Sequence, residues 1–290
     1  MKITDIVLDF DGTCTVIPKI YEGYLSQFFD ELNNQVFPQK HVKPKEWEAA
    51  KEIVRTNSPA AGWTLGTTPS APAHADPYIL AFEASKIILK EEKSSLSTAP
   101  AGIHPDCYAK HQAPWRPEAR EVFQKLLEKG IRLHFITNSD NTAVTNRVLD
   151  LMDLTDLKGS NISVNGNAAK YNISELSPWS TDIPDPAKQR FAKIPAASDQ
   201  ILKERPVYFR RSSFFSAICA SFNNDLSNLS NTVFCGDVWE LDLALPAALG
   251  ANIHLIERAS PFDTYDYERK LTNAKNGKIS TDLNGLKEWL

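Results

Sequence analysis

The stretch Ile3-Thr4-Asp5-Ile6-Val7-Leu8-Asp9-Phe10-Asp11-Gly12-Thr13 decides how this chain is read. Residues 6–8 are apolar without alternation, the pattern of a strand buried on both faces in a parallel sheet. The strand, expected over residues 3–10, then meets Asp-Gly-Thr, a turn signal. Two carboxylates one residue apart, Asp9 and Asp11, therefore stand at a strand end, where they can converge on one site. An Asp-Gly after a strand is also an ordinary turn, so the pair needs support from other parts of the chain.

Four more apolar runs predict strands, over residues 131–136, 161–164, 232–235 and 252–256. Helical patterns lie between several of them. The clearest opens at Pro117, suited to a first turn. It presents Val122, Phe123, Leu126 and Leu127, and it closes at Gly130, a residue suited to the position just past a helix. Strands alternating with helices predict an α/β fold with a parallel five-stranded sheet. In such sheets, sites form at the carboxyl ends of the strands.

Two other strand ends carry polar chemistry. Phe135-Ile136-Thr137-Asn138 places a hydroxyl and an amide where they can donate to phosphate oxygens. Thr and Asn are equally good helix N-caps. Phe234-Cys235-Gly236-Asp237-Val238-Trp239-Glu240-Leu241-Asp242 puts acidic residues just past an apolar run, a set suited to a hard cation held through oxygen.

Residues 15–114 break the alternation. Tyr21, Leu25, Phe28, Leu32 and Val36 recur at helical spacing. A second helix is predicted over residues 78–93, with Leu80, Ala84, Ile87 and Ile88 on one face. Residues 57–77, rich in Pro, Ala, Ser, Thr and Gly, read as a long loop. With no strand pattern across it, the segment reads as a helical insertion between the first and second sheet strands. Residues 166–206, with Pro178, Pro184, Pro186 and Pro195, form a smaller irregular excursion. Within it, residues 170–173 and 207–209 are candidates for a small hairpin.

The 290 residues allow one large or two modest domains. The net charge of -4 argues against a dedicated nucleic-acid binder. Cys14, Cys107, Cys219 and Cys235 form no CxxC pair, which argues against structural zinc and for a reducing compartment. Acidic residues at Asp5, Asp9 and Asp11 interrupt any signal-peptide core. No run reaches the roughly 18 apolar residues of a membrane span. The expected location is the cytoplasm, with neither nucleic acid nor membrane as partner.

On its first motif DxDGT (Asp9 to Thr13), its second ending at Thr137, and its GDxxxxD from Gly236-Asp237 to Asp242, the chain resembles the haloacid dehalogenase-like (HAD) hydrolases. The resemblance covers residues 1–14 and 115–290. It implies a Rossmann-like core, with residues 15–114 as a helical cap of the C1 type. The family's third motif is a Lys or Arg between the second and fourth. Arg211 fits best, then Arg210, with Lys170 in Gly-Asn-Ala-Ala-Lys-Tyr as runner-up.

The resemblance also implies roles. Asp9 is the expected nucleophile, forming an aspartyl-phosphate. Asp11 is the expected general acid and then base. Mg²⁺ is the expected cofactor, held by Asp9, Asp237 and the backbone carbonyl of Asp11. Asp242, or failing that Glu240, holds a metal-bound water or orients the site. Thr137, Asn138 and Arg211 are expected on the phosphoryl oxygens. An aspartate at position 11 favours phosphoryl transfer over carbon–halogen cleavage. The implied reaction is hydrolysis of a small phosphorylated metabolite. The alternatives are a phosphotransferase or phosphomutase on a sugar phosphate, or a non-catalytic regulatory protein on the same fold. Trp63 and His74 are candidates to line the substrate side of the cap, and His104 and His111 to reach substrate. His134, His254 and Cys14 read as packing residues.

Overall fold

The computed structural model describes residues 2–65, 68–91, 99–173 and 183–290. Residues 92–93, expected to end the second inserted helix, and residues 174–182 of the irregular stretch lie outside the described residues. The chain begins with β1 (Asp5–Leu8) and enters the insertion: α1 (Tyr21–Gln35), α2 (Pro44–Asn57), β2 (Gly62–Leu65), β3 (Thr68–Pro72), α3 (Pro77–Glu91) and α4 (Ala99–Lys110). It returns through α5 (Ala119–Glu128), β4 (Arg132–Ile136), α6 (Asn141–Met152) and β5 (Ile162–Asn165). An excursion follows: α7 (Asp185–Ala192), β6 (Ala197–Ser198), β7 (Val207–Tyr208) and α8 (Ser212–Ser221). The chain closes with β8 (Thr232–Gly236), a π-helical turn over Trp239–Leu243, α9 (Ala244–Ala248), β9 (Asn252–Ile256), α10 (Asp266–Ala274) and β10 (Lys278–Ser280).

Six strands pair in parallel in the order β10-β9-β8-β1-β4-β5. Ile6 and Leu8 face one core cluster with Phe123 and Phe135, while Val7 faces the other with Phe215 and Phe234. That two-sided burial is why the run does not alternate. Each such side chain contributes ~1.5–3 kcal/mol of burial energy. The sheet has one strand more than the five expected. β10 spans three residues with a single apolar one, too short to show a period, and its pairing with β9 holds it in place.

The insertion packs its helices around Tyr24, Phe28, Leu32, Trp47, Leu80 and Ile103. It holds two helices beyond those that the sequence pattern predicts. α2 buries Trp47, Ala50 and Val54 on one face, and α4 contains Pro105, which weakens its helical signal. The expected loop over residues 57–77 instead contains the antiparallel hairpin β2–β3. Pro69 and Pro72 disguised it, because proline is tolerated in a two-stranded ribbon but excluded from central strands. The expected pairing of residues 170–173 with 207–209 is also corrected: Val207 and Tyr208 pair with Ser198 and Ala197.

The insertion joins the sheet through two adjacent strands of backbone. Val16 N–H donates to the Pro114 carbonyl at 2.8 Å, and Arg116 N–H to the Cys14 carbonyl at 2.9 Å. This bridge at Thr15 and Trp115 sits directly after the Asp9–Thr13 turn, so the cap is rooted beside the strand ends. Among the described residues, no helix is long and apolar enough to cross a membrane.

Candidate active site

The loop after β1 is held from three directions. Asp9 N–H donates to the Cys235 carbonyl at 2.9 Å, which continues the β1–β8 pairing past the strand end. Arg116 donates from Nε to the Thr13 carbonyl at 2.8 Å and from its terminal nitrogen to the Gly12 carbonyl at 3.0 Å. Gly12 has φ +86°, and a Cβ there would lie 2.4 Å from Asp237 Oδ2. Only glycine lets the two strand-end loops approach this closely. Gly236 does the same for the second loop, where a Cβ would lie 2.2 Å from Asp242 Cβ. The π-helical turn can therefore fold Asp242 back, and Val238 N–H donates to its Oδ2 at 3.0 Å.

These loops bring Asp9, Asp237 and Asp242 together, with one oxygen of each within 4.8 Å of the others. The Thr13 hydroxyl lies 3.1 Å from Asp9 Oδ2 and 3.2 Å from Asp237 Oδ1. Lys170 Nζ sits among them, 2.5 Å from Asp9 Oδ1 and 2.6 Å from Asp242 Oδ1. Burial pushes the Asp9 carboxyl up to about 7, and the Asp242 charge adds to this while Lys170 opposes it. Burial, with Asp242 and Asp9 nearby, also pushes Asp237 well above the usual carboxylate range. Burial disfavours the Lys170 ammonium, but the two carboxylates outweigh it and hold its proton more tightly than usual.

Lys170, and not Arg211, is thus the cation beside Asp9, which reverses the order expected from sequence. Arg211 is fully buried, but its donors go elsewhere: one terminal nitrogen to Ser70 Oγ at 2.8 Å and the Lys170 carbonyl at 2.9 Å, the other to the Ser70 carbonyl at 2.6 Å. It ties the β3 strand of the cap to the Lys170 turn. Arg210 donates to the Ile194 and Ala192 carbonyls. Lys170 is delivered by a tight turn after β5, where Asn167 and Ala169 take φ of +53° and +44°. Such conformations are costly for residues with a Cβ and cluster at functional sites. The turn is held by Ala168 N–H on the Thr137 carbonyl at 2.9 Å and by Lys170 N–H on Asn138 Oδ1 at 2.7 Å. Thr137 is buried at the end of β4, and its hydroxyl accepts from Ser139 N–H at 3.1 Å.

The Asp11 side chain stands apart from the three-carboxylate cluster. Its Oδ2 accepts from the Ser139 hydroxyl and from the Tyr108 hydroxyl, the latter at 3.0 Å. Burial raises the Asp11 carboxyl, against those two hydrogen bonds. Ser139 follows Asn138 immediately, so the β4 strand end was the signal that could have found it. Tyr108 lies in the cap and carried no sequence signal.

Other expectations resolve by contact. Glu240 is paired with Arg205 at 2.6 Å and accepts from the Tyr267 hydroxyl at 2.7 Å, so it does not serve the cluster. Trp63 packs edge-on to Tyr171, with centroids 5.2 Å apart, and His74 packs on Phe262 at 4.8 Å. His104 Nδ1 is 2.8 Å from the Tyr24 hydroxyl. The His111 ring lies against Gly23 of α1. His134 meets Asp5 and Ser163, and His254 meets Ser280 and Trp289. Cys14 is buried, its Sγ lies 3.1 Å from the Asp9 carbonyl, and burial pushes its thiol up, away from the reactive thiolate.

Asp9, Asp237 and Asp242 offer an all-oxygen donor set beside the space that Gly12 keeps clear. This fits a hard divalent cation such as Mg²⁺ better than a softer metal. Burial and mutual repulsion hold protons on Asp9 and Asp237, so all three carboxyls are charged together only with positive charge beyond that of Lys170, which a bound cation would supply.

The chain has the fold of the HAD-like hydrolases. A predicted phosphoglycolate phosphatase from Haemophilus somnus 129PT matches with a TM-score of 0.52 at 14% identity, over 99% of this chain and 98% of that one. YfnB from Bacillus subtilis, described as a HAD-hydrolase bound to magnesium, matches at 0.50 and 10% identity, over 99% and 98%. SP0104 from Streptococcus pneumoniae, a haloacid dehalogenase-like hydrolase, matches at 0.50 and 10%, over 99% and 98%. No family model and no curated protein matches the sequence.

Proposed function

We propose that this protein is a Mg²⁺-dependent phosphatase that hydrolyses a small phosphate monoester through an aspartyl-phosphate on Asp9. The observation that carries this reading is the division of labour at the end of β1. Asp9 is clamped by Lys170 within a carboxylate cluster, while Asp11 sits outside it on two hydroxyl donors. Two carboxyls in different environments are suited to different roles.

An oxygen of Asp9 attacks phosphorus as the bond to the leaving oxygen breaks. The Asp11 carboxyl gives its proton to that oxygen, and the alcohol departs. Water then attacks the aspartyl-phosphate and gives its proton back to Asp11, releasing inorganic phosphate and restoring Asp9. Lys170 orients Asp9 and balances charge, and Thr13 steadies the second Asp9 oxygen. Mg²⁺ held by Asp9 and Asp237, with Asp242 alongside, would supply the positive charge that lets a dianionic phosphate approach this acidic pocket. A proton donor poised at the leaving-group side favours phosphate esters over halides, because a halide departs without a proton.

The test is turnover of p-nitrophenyl phosphate with and without Mg²⁺, in wild type and in Asp9→Asn. Wild type should release phosphate only with Mg²⁺. The variant should fall to background while unfolding as cooperatively as wild type. Full activity in Asp9→Asn sinks the mechanism, and transfer to a sugar hydroxyl in place of phosphate release redirects it to a phosphotransferase.

A further inference from the structure

Tyr108 brings the cap directly onto Asp11. It lies on α4, and its hydroxyl is 3.0 Å from Asp11 Oδ2, 3.3 Å from Oδ1 and 3.0 Å from Ser139 Oγ. The Ser139 hydroxyl donates to the same Oδ2. Among the described residues, Oδ2 thus carries two short contacts, one from the core and one from the cap, while Oδ1 carries only the longer one. The Tyr108 ring is held by Tyr78 and His104, with centroids at 5.5 and 5.6 Å, so the aromatic packing of the cap aims the hydroxyl. A phenol keeps its proton at neutral pH, so Tyr108 is a donor there.

We propose that Tyr108 is a positioning residue for the proton donor: with Ser139 it occupies Oδ2 of Asp11, which leaves Oδ1 to carry the transferable proton to the leaving oxygen. The donor is then complete only while α4 is seated over the strand ends, so enclosure of the substrate and readiness of the acid are the same event. This rests on the reading of Asp11 as general acid. It assigns a role to a cap residue that the phosphatase reading does not require.

Leaving-group dependence tests it. An alkoxide needs its proton at the moment the P–O bond breaks, whereas p-nitrophenolate leaves without one. For Tyr108→Phe, kcat/KM toward alkyl phosphates should fall by about tenfold to a hundredfold, the range of a hydrogen bond to a charged group. Toward p-nitrophenyl phosphate it should stay within about twofold, since little proton transfer is needed. Ser139→Ala should show the same pattern. Tyr24→Phe removes a hydroxyl from the same aromatic cluster whose partner is His104, and should leave both substrates unaffected. A uniform loss across leaving groups in Tyr108→Phe, or no loss, overturns the proposal while the phosphatase reading stands. Failure of the wild type to hydrolyse any ester overturns both.

Discussion

Asp5 and Asp9 bracket the same strand, and their surroundings are opposite. Asp5, at the entry of β1, is surrounded by donors: His134 Nε2 at 2.8 Å, Arg132 at 2.7 Å and the Thr4 hydroxyl at 2.8 Å. Burial works against its charge, but those hydrogen bonds prevail and hold the carboxyl at about 2. Asp9, at the exit, faces two other carboxylates and one shared ammonium, and burial there pushes it up to about 7. One end of the strand is satisfied and the other is left in need of positive charge. A parallel sheet makes this division available, because its carboxyl ends open into loops while its other end can be closed by neighbouring strands.

The comparison can be broken most sharply at Lys170. Lys170→Met removes the charge that Asp9 and Asp242 share at Nζ, and kcat with saturating Mg²⁺ should fall by roughly 10²–10³, as for loss of one electrostatic stabiliser. Retention of wild-type kcat would show that Asp9 does not depend on its cation.

Asp5→Asn should do the reverse. It should cost about 2 kcal/mol of stability at neutral pH, from the difference between about 2 and the ordinary 3.8, and leave kcat/KM within about twofold. Urea unfolding and a steady-state assay read the two effects, and a large loss of activity would erase the contrast between the strand's ends.

The pH dependence of metal-free protein sharpens the comparison further, because there the two carboxyls act with opposite sign. Asp5 is depressed on folding, so its contribution is present above 3.8 and is lost as pH falls toward about 2. Asp9 is raised on folding, so its contribution is present below 3.8 and is lost as pH rises through about 7. Unfolding midpoints across pH should therefore lose their acid-side slope in Asp5→Asn. In Asp9→Asn the slope between 3.8 and about 7 should become shallower, with the raised carboxyls of Asp11 and Asp237 supplying what remains. The same profile in both variants would mean that the two ends are not electrically distinct.

The cap shows the same contrast in another form. On the hairpin side it is pinned by buried Arg211 on Ser70 and by Arg205 on the Pro59 carbonyl. On the α4 side it reaches the strand ends through the Tyr108 hydroxyl. Arg211 illustrates why local sequence does not select the cation beside Asp9. An arginine entering a helix has the expected local context, but whether its guanidinium turns to Asp9 or to Ser70 depends on where the hairpin docks.

Much was legible from short segments alone. Residues 3–13, the end of β4, and the Gly236–Asp242 turn each carry their geometry within a few residues. An apolar run sets the strand, a glycine permits close approach, and a carboxylate follows at fixed offset. Once a parallel sheet is inferred, Asp9, Asp11, Thr137, Asp237 and Asp242 must gather at one edge. The six-strand count, the β2–β3 hairpin, the choice of Lys170 and the contact of Tyr108 with Asp11 were decided by packing. The last two depend on groups far apart in the chain, Lys170 and Asp9 by 161 positions and Tyr108 and Asp11 by 97. No local pattern encodes such distances, because the energy that selects them is the burial and charge pairing of segments that meet only after the chain has folded.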